Sequence, residues 1–113
     1  MNCNCNCNIT INAGGQPYIA NTQVTVGTES VNIALGWRRI QPIGYFTVRM
    51  ANAIPSDATT TLPVTLTLNG TTRALTLPNG TPVTVADILN TSVMLIFNDK
   101  YEGILALMSR TIV

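Results

Sequence analysis

The chain has no histidine, and only 10% of its 113 residues are charged. The first absence removes histidine triads, histidine general bases and histidine metal ligands. Acids are scarce too, confined to Glu29, Asp57, Asp87, Asp99 and Glu102. A carboxylate pair for glycoside hydrolysis needs a set separation across a cleft. These five read instead as cap, turn and loop residues, with Asp87 as a helix cap and Asp99 in a turn. Glycines are scattered, and no phosphate-cradling loop is present. The inventory predicts a protein that is not an enzyme and carries no cofactor. Long apolar runs are also missing. Val93-Met94-Leu95-Ile96-Phe97 falls far short of the roughly 20 residues that cross a membrane. The net charge is +1 and the longest basic run is Arg38-Arg39, so no clustered positive face for nucleic acid is expected. The start Met1-Asn2-Cys3-Asn4 has neither the basic nor the apolar stretch of a secretory signal. It predicts a protein made in a cytoplasm and not exported by that route.

Hydrophobic residues make up 46% of the sequence, and an ordinary domain carries roughly 25% charge. So little charge beside so much apolar surface points to a surface covered by other subunits. The length fits one domain with a core of its own, spanning residues 1–113.

Period-two alternation dominates. Cys3, Cys5, Cys7, Ile9 and Ile11 alternate with Asn2, Asn4, Asn6, Asn8 and Thr10, which predicts an N-terminal strand or arm over residues 1–13. A second strand is expected with Tyr18, Ala20, Val24 and Val26 in phase. A third follows with Val31, Ile33, Leu35 and Trp37, and a fourth with Phe46, Val48 and Met50. Residues 51–62 read as a loop. Asn69-Gly70 between two alternating runs is a strong hairpin signal. It places Val64, Leu66 and Leu68 on the face shared by Leu75 and Leu77. Thr84 and Asp87 form an acidic capping box, with Val83 and Ile88 as a hydrophobic staple, for one short helix near residues 85–89. Two last strands, about 93–97 and 101–108, flank the turn Asn98-Asp99-Lys100. They carry apolar residues on both faces, so both are expected to be central or covered on two sides. Thr111-Ile112-Val113 offers a last β-segment, available to a neighbour. Many short strands with Gly, Pro and Asn turns predict an all-β fold, a small antiparallel β-sandwich or barrel.

Two clusters admit two readings each. Cys3, Cys5 and Cys7 project from one side of a strand, about 6.6 Å apart per two residues. They cannot converge on one ion within one chain, so no metal site is assigned. They either fill an inward face as small hydrophobes or meet their counterparts across a symmetry axis. Trp37 with Arg38 and Arg39 either forms a contact hot spot or simply extends the apolar face of the third strand. The candidate intersubunit contacts are therefore Cys3, Cys5, Cys7, Trp37, Arg38, Arg39, Ile112 and Val113. Asn8, Asn69, Asn79 and Asn90 match the N-glycosylation pattern, as chance allows in a chain rich in Asn and Thr.

From Leu68-Asn69-Gly70-Thr71 through Asn79-Gly80-Thr81-Pro82-Val83-Thr84 and Asp87-Ile88 to Ser92-Val93-Met94-Leu95-Ile96-Phe97-Asn98-Asp99-Lys100-Tyr101, the chain resembles the β-domains of phage fibres and virions. The likeness covers residues 64–108 and departs at Tyr101-Glu102-Gly103-Ile104, where such domains often carry a plain aromatic-apolar strand. Small size, scarce charge and absent catalytic groups resemble an auxiliary, or decoration, protein of a tailed-phage head, or the base of a head fibre. The resemblance implies a virion structural protein, made in the host cytoplasm, that binds the major capsid protein and stabilises the shell, with trimers as the expected oligomer. The alternative it implies is a tail- or head-fibre domain that binds a host receptor or glycan, which needs an exposed aromatic platform.

Overall fold

The computed structural model describes residues 18–112, so the expected arm over residues 1–13, with Cys3, Cys5 and Cys7, lies outside the described residues, as does Val113. Seven strands and one helical turn follow in order: β1 (Tyr18–Val26), β2 (Val31–Leu35), β3 (Ile43–Arg49), β4 (Val64–Leu68), β5 (Thr71–Ala74), α1 (Val85–Ile88), β6 (Thr91–Asp99) and β7 (Ile104–Ile112). They form one mixed sheet in the order β5-β4-β2-β1-β3-β6-β7, curled into a half-barrel. The all-β class and the short helix stand as the sequence predicts. The sheet is mixed and not antiparallel throughout as expected: the junctions β1·β3 and β2·β4 are parallel, because these neighbours are not joined by a hairpin, and the rest are antiparallel.

Alternation explains the curl. Val31, Ile33 and Leu35 of β2, Phe46 and Val48 of β3, and Val64, Leu66 and Leu68 of β4 all turn inward and are buried. Met94 and Ile96 of β6 and Leu105 and Leu107 of β7 complete the concave core. Burying such side chains stabilises the fold by roughly 1.5–3 kcal/mol each, and a single open sheet achieves this only by curling over its own face. The two edges meet at one residue beyond β5. Thr76 donates its N–H to the carbonyl of Leu105 at 2.9 Å, and its carbonyl accepts from Leu107 at 2.7 Å.

The short helix lids this core, with Val83, Val85 and Ile88 buried. The Asp87 carboxylate accepts from the Thr84 N–H at 2.9 Å and from the Thr84 hydroxyl at 3.3 Å. The β4–β5 hairpin turns through Asn69 (φ 52) and Gly70 (φ 84). Both dihedrals are left-handed, as a two-residue type I′ turn requires.

Three elements differ from the sequence expectation, each for a physical reason. In β1 the inward residues are Ile19 and Asn21, not Tyr18 and Ala20. A bulge between Asn21 and Gln23 resets the phase, so that only Val24 of the expected set packs against the core. The last hairpin is shifted: β6 runs on through Asn98 and Asp99, and the turn falls at residues 100–103, where Gly103 has φ 72. Asp99 shapes this turn by accepting from the N–H groups of Tyr101 and Glu102. The third difference concerns cover. β6 is internal to the sheet, between β3 and β7, as expected, but β7 is the edge strand, and its outer face has no second sheet over it among the described residues.

Candidate functional site

The convex face of the sheet is divided. On β2, β4 and β5 the outward residues are Asn32, Thr65, Thr67 and Thr72 with the small Ala34 and Ala74, and the polar four satisfy one another. The Asn32 amide donates to both Thr65 and Thr67 hydroxyls at 2.9 Å, and the Thr67 and Thr72 hydroxyls are 2.7 Å apart. On β3, β6 and β7 and the start of β1 the outward face carries most of the exposed large apolar residues, with Thr47, Arg49, Asp99, Ser109 and Thr111 among them. Register puts Tyr45, Phe97 and Ala106 in one row. The next row carries Tyr18, Thr47 and Leu95, and the row towards the β6–β7 turn carries Ile43 and Ile104 on either side of Asp99. The Tyr45 and Phe97 rings meet at 5.3 Å in a tilted arrangement, a favourable geometry for aromatic pairs. Tyr18, Ile43, Tyr45 and Ile104 are exposed, as is Met108 at the bulge in β7. Clustered apolar exposure of this kind marks an interaction surface.

A second feature lies at the open end of the concave side. A cleft of about 520 Å³ is bounded by the loop after β2, the β4–β5 hairpin and the end of β6. Its floor is apolar, from Leu68 and Leu105. Trp37, Arg39, Arg73, Asn98 and Lys100 line the walls. Asn69 builds one wall by clasping the loop: its amide donates to the Arg38 carbonyl at 2.7 Å, and its side-chain oxygen accepts from the Arg38 N–H at 3.0 Å. Asn98, buried on the inward face of β6, holds the same loop by donating to the carbonyls of Gln41 at 2.9 Å and Pro42 at 3.3 Å. Its side-chain oxygen accepts from the Arg73 guanidinium, which reaches across from β5. Burial lowers the pKa of Arg73 from its ordinary value, because the charged form loses water.

The structure separates the predicted contact residues. Trp37 does not extend the apolar face of β2, which ends at Leu35; it is 76% exposed. Trp37 and Arg39 share the cleft, while Arg38 is exposed and held through its backbone. Ile112 pairs with Thr91 within its own sheet, which leaves the outer edge of β7 beyond Leu107 as the stretch open to a neighbour. Sequence reasoning missed Arg73 and Asn98. Their signal was parity: Arg73 stands in the inward phase of Leu75, opposite Leu66, and Asn98 in the phase of Met94 and Ile96.

Among the described residues no group of three or more Cys, Asp or Glu is placed to hold a metal ion, and no helix is long and apolar enough to cross a membrane. Compared with protein-family models, with curated proteins and with solved structures, the chain finds no match.

Proposed function

We propose that the chain is a non-catalytic structural subunit of a virion, an auxiliary protein that docks on the major capsid protein of a tailed-phage head and stabilises the shell. The observation that carries this reading is the cluster of large apolar residues on the convex sheet face, Tyr18, Ile43, Tyr45, Phe97 and Ile104, only lightly interrupted by Thr47 and Asp99. Strands this apolar on both sides need cover on both sides. The chain supplies it on the concave side only, among the described residues. A neighbouring chain supplies the other, burying the aromatic row as the centre of an interface, where charge is depleted and aromatics are enriched. The open edge of β7 lets a partner strand extend the sheet. The low charge of the whole chain fits the same role. Assembly as trimers on the shell is the arrangement that the phage resemblance implies.

The test is to assemble heads from a tailed-phage major capsid protein, with either the wild-type chain or Tyr45→Asp added. Tyr45 is about half exposed in the free chain, so the variant gives up the Phe97 ring contact and some strand propensity, about 1–2 kcal/mol, and circular dichroism checks that it still folds. An unpaired carboxylate buried in the interface costs about 3 kcal/mol, which is a loss of roughly 100-fold in affinity. Wild-type chain is expected at hundreds of copies per head, and the variant at few or none. Equal loading of the two would contradict the docking face.

A further inference from the structure

We infer that the cleft at the open end of the half-barrel binds a carboxylate-bearing sugar, with Arg73, Arg39 and Lys100 around the carboxylate and Trp37 against the ring. This goes beyond the docking role and does not depend on it, because the cleft opens on the concave side and docking uses the convex face.

Charge distribution is the first argument. The chain has only six Lys and Arg and five Asp and Glu. Three of those cations line this one cleft, and none of the acids does. Asp99, next in sequence to two lining residues, turns away to the β6–β7 turn, where its carboxylate accepts from Tyr101 and Glu102. The cleft therefore carries uncompensated positive charge in a chain of net charge +1.

Arg73 is the second argument. It occupies an inward strand position, half-buried, where apolar residues fill the neighbouring sites. A guanidinium partly withdrawn from water on an apolar face is favoured by a carboxylate partner. Among the described residues Arg73 gains only the neutral oxygen of Asn98. That bond fixes the direction of the side chain and leaves most of its N–H donors for a ligand. A planar fork of donors suits a carboxylate in bidentate geometry.

Shape is the third. The volume of 520 Å³ lies within the range of roughly 300–1,000 Å³ for small-molecule sites. It suits one or two sugar units. Trp37 at the mouth offers a flat, exposed face, and the apolar C–H face of a pyranose packs on such a ring as other apolar bodies do. Asn69 and Asn98 are spent on the loop, so they preorganise the walls before any ligand arrives.

Trp37 is the only tryptophan in the chain, so its fluorescence reports on the cleft alone. The full-length protein is titrated with glucuronate, glucose, acetate and an Asp/Glu-rich peptide. Glucuronate is expected to saturate with a dissociation constant on the order of a millimolar, weakening as salt rises. Glucose and acetate should each bind at least about tenfold more weakly. Arg73→Gln should weaken glucuronate by roughly tenfold or more. Arg39→Ala with Lys100→Ala should weaken it comparably, and these two residues are exposed, so this variant tests the site even if Arg73→Gln fails to fold. The inference is overturned by glucose binding as well as glucuronate, by acetate alone matching it, by the peptide binding better, by no saturable change, or by indifference to the Arg39/Lys100 double variant.

Discussion

Replacing Phe46 with alanine is expected to remove about 3–5 kcal/mol of folding stability. Phe46 is 1% exposed and is among the largest fully buried side chains. It lies opposite Ile96 in the antiparallel β3·β6 pairing, on the concave side of the sheet. No second sheet stands behind it to relax into the space, so the cavity term adds to the lost transfer free energy. Domains are stable by only about 5–15 kcal/mol, which makes this loss a large fraction of the total. Urea unfolding checks it: the midpoint should fall with an unchanged slope. A loss below about 1 kcal/mol would mean that the concave side is not a packed core.

Asn21→Ala should cost less, about 2–3 kcal/mol, through a different mechanism. Asn21 is 2% exposed at the β1 bulge. It exchanges three hydrogen bonds with Asn52 of the long loop. Its amide donates to the Asn52 carbonyl at 2.7 Å. Its side-chain oxygen accepts from the Asn52 N–H at 2.8 Å. Its backbone carbonyl accepts from the Asn52 amide at 2.9 Å. The substitution deletes the first two and leaves backbone groups of the loop without partners, at about 1 kcal/mol or more each. Ile54 and Ala58, buried further along that loop, then lose their anchor. Thermal unfolding should shift down by roughly 10 °C, and the Asn52 amide should exchange faster with solvent than in the wild type. An unchanged melting temperature would show that the loop is held by its apolar residues alone.

Much of the architecture was legible because its signals are local. Val31, Ile33 and Leu35 alternate with polar or small residues, and a period of two has one interpretation. Asn69-Gly70 dictates its turn, and Thr84 with Asp87 dictates the start of α1. The bulge in β1 was not legible, because a phase shift in a strand carries no residue signature of its own. Asn21 gains its meaning from Asn52, a partner in a distant loop. Parallel junctions were also out of reach, since strand order depends on which edges meet in space. For the candidate sites, the division of the convex face could be read from Thr65 and Thr67 against Tyr45 and Phe97. What alternation cannot say is whether a doubly apolar strand will be covered by its own chain. Trp37 stood out as an aromatic beside two arginines, but its partners Arg73 and Lys100 come from other elements. Only the curl of the sheet brings them together.

Hydroxyl-radical footprinting of the free and shell-bound chain tests the central claim, that the Tyr18–Tyr45–Ile104 patch of the convex face is what another protein covers. Tyr18, Tyr45 and Met108 should label readily in the free chain and lose most of that reactivity on the shell, while Trp37 keeps its own. Unchanged labelling of Tyr18, Tyr45 and Met108 on the shell, with protection at Trp37 instead, would contradict the account.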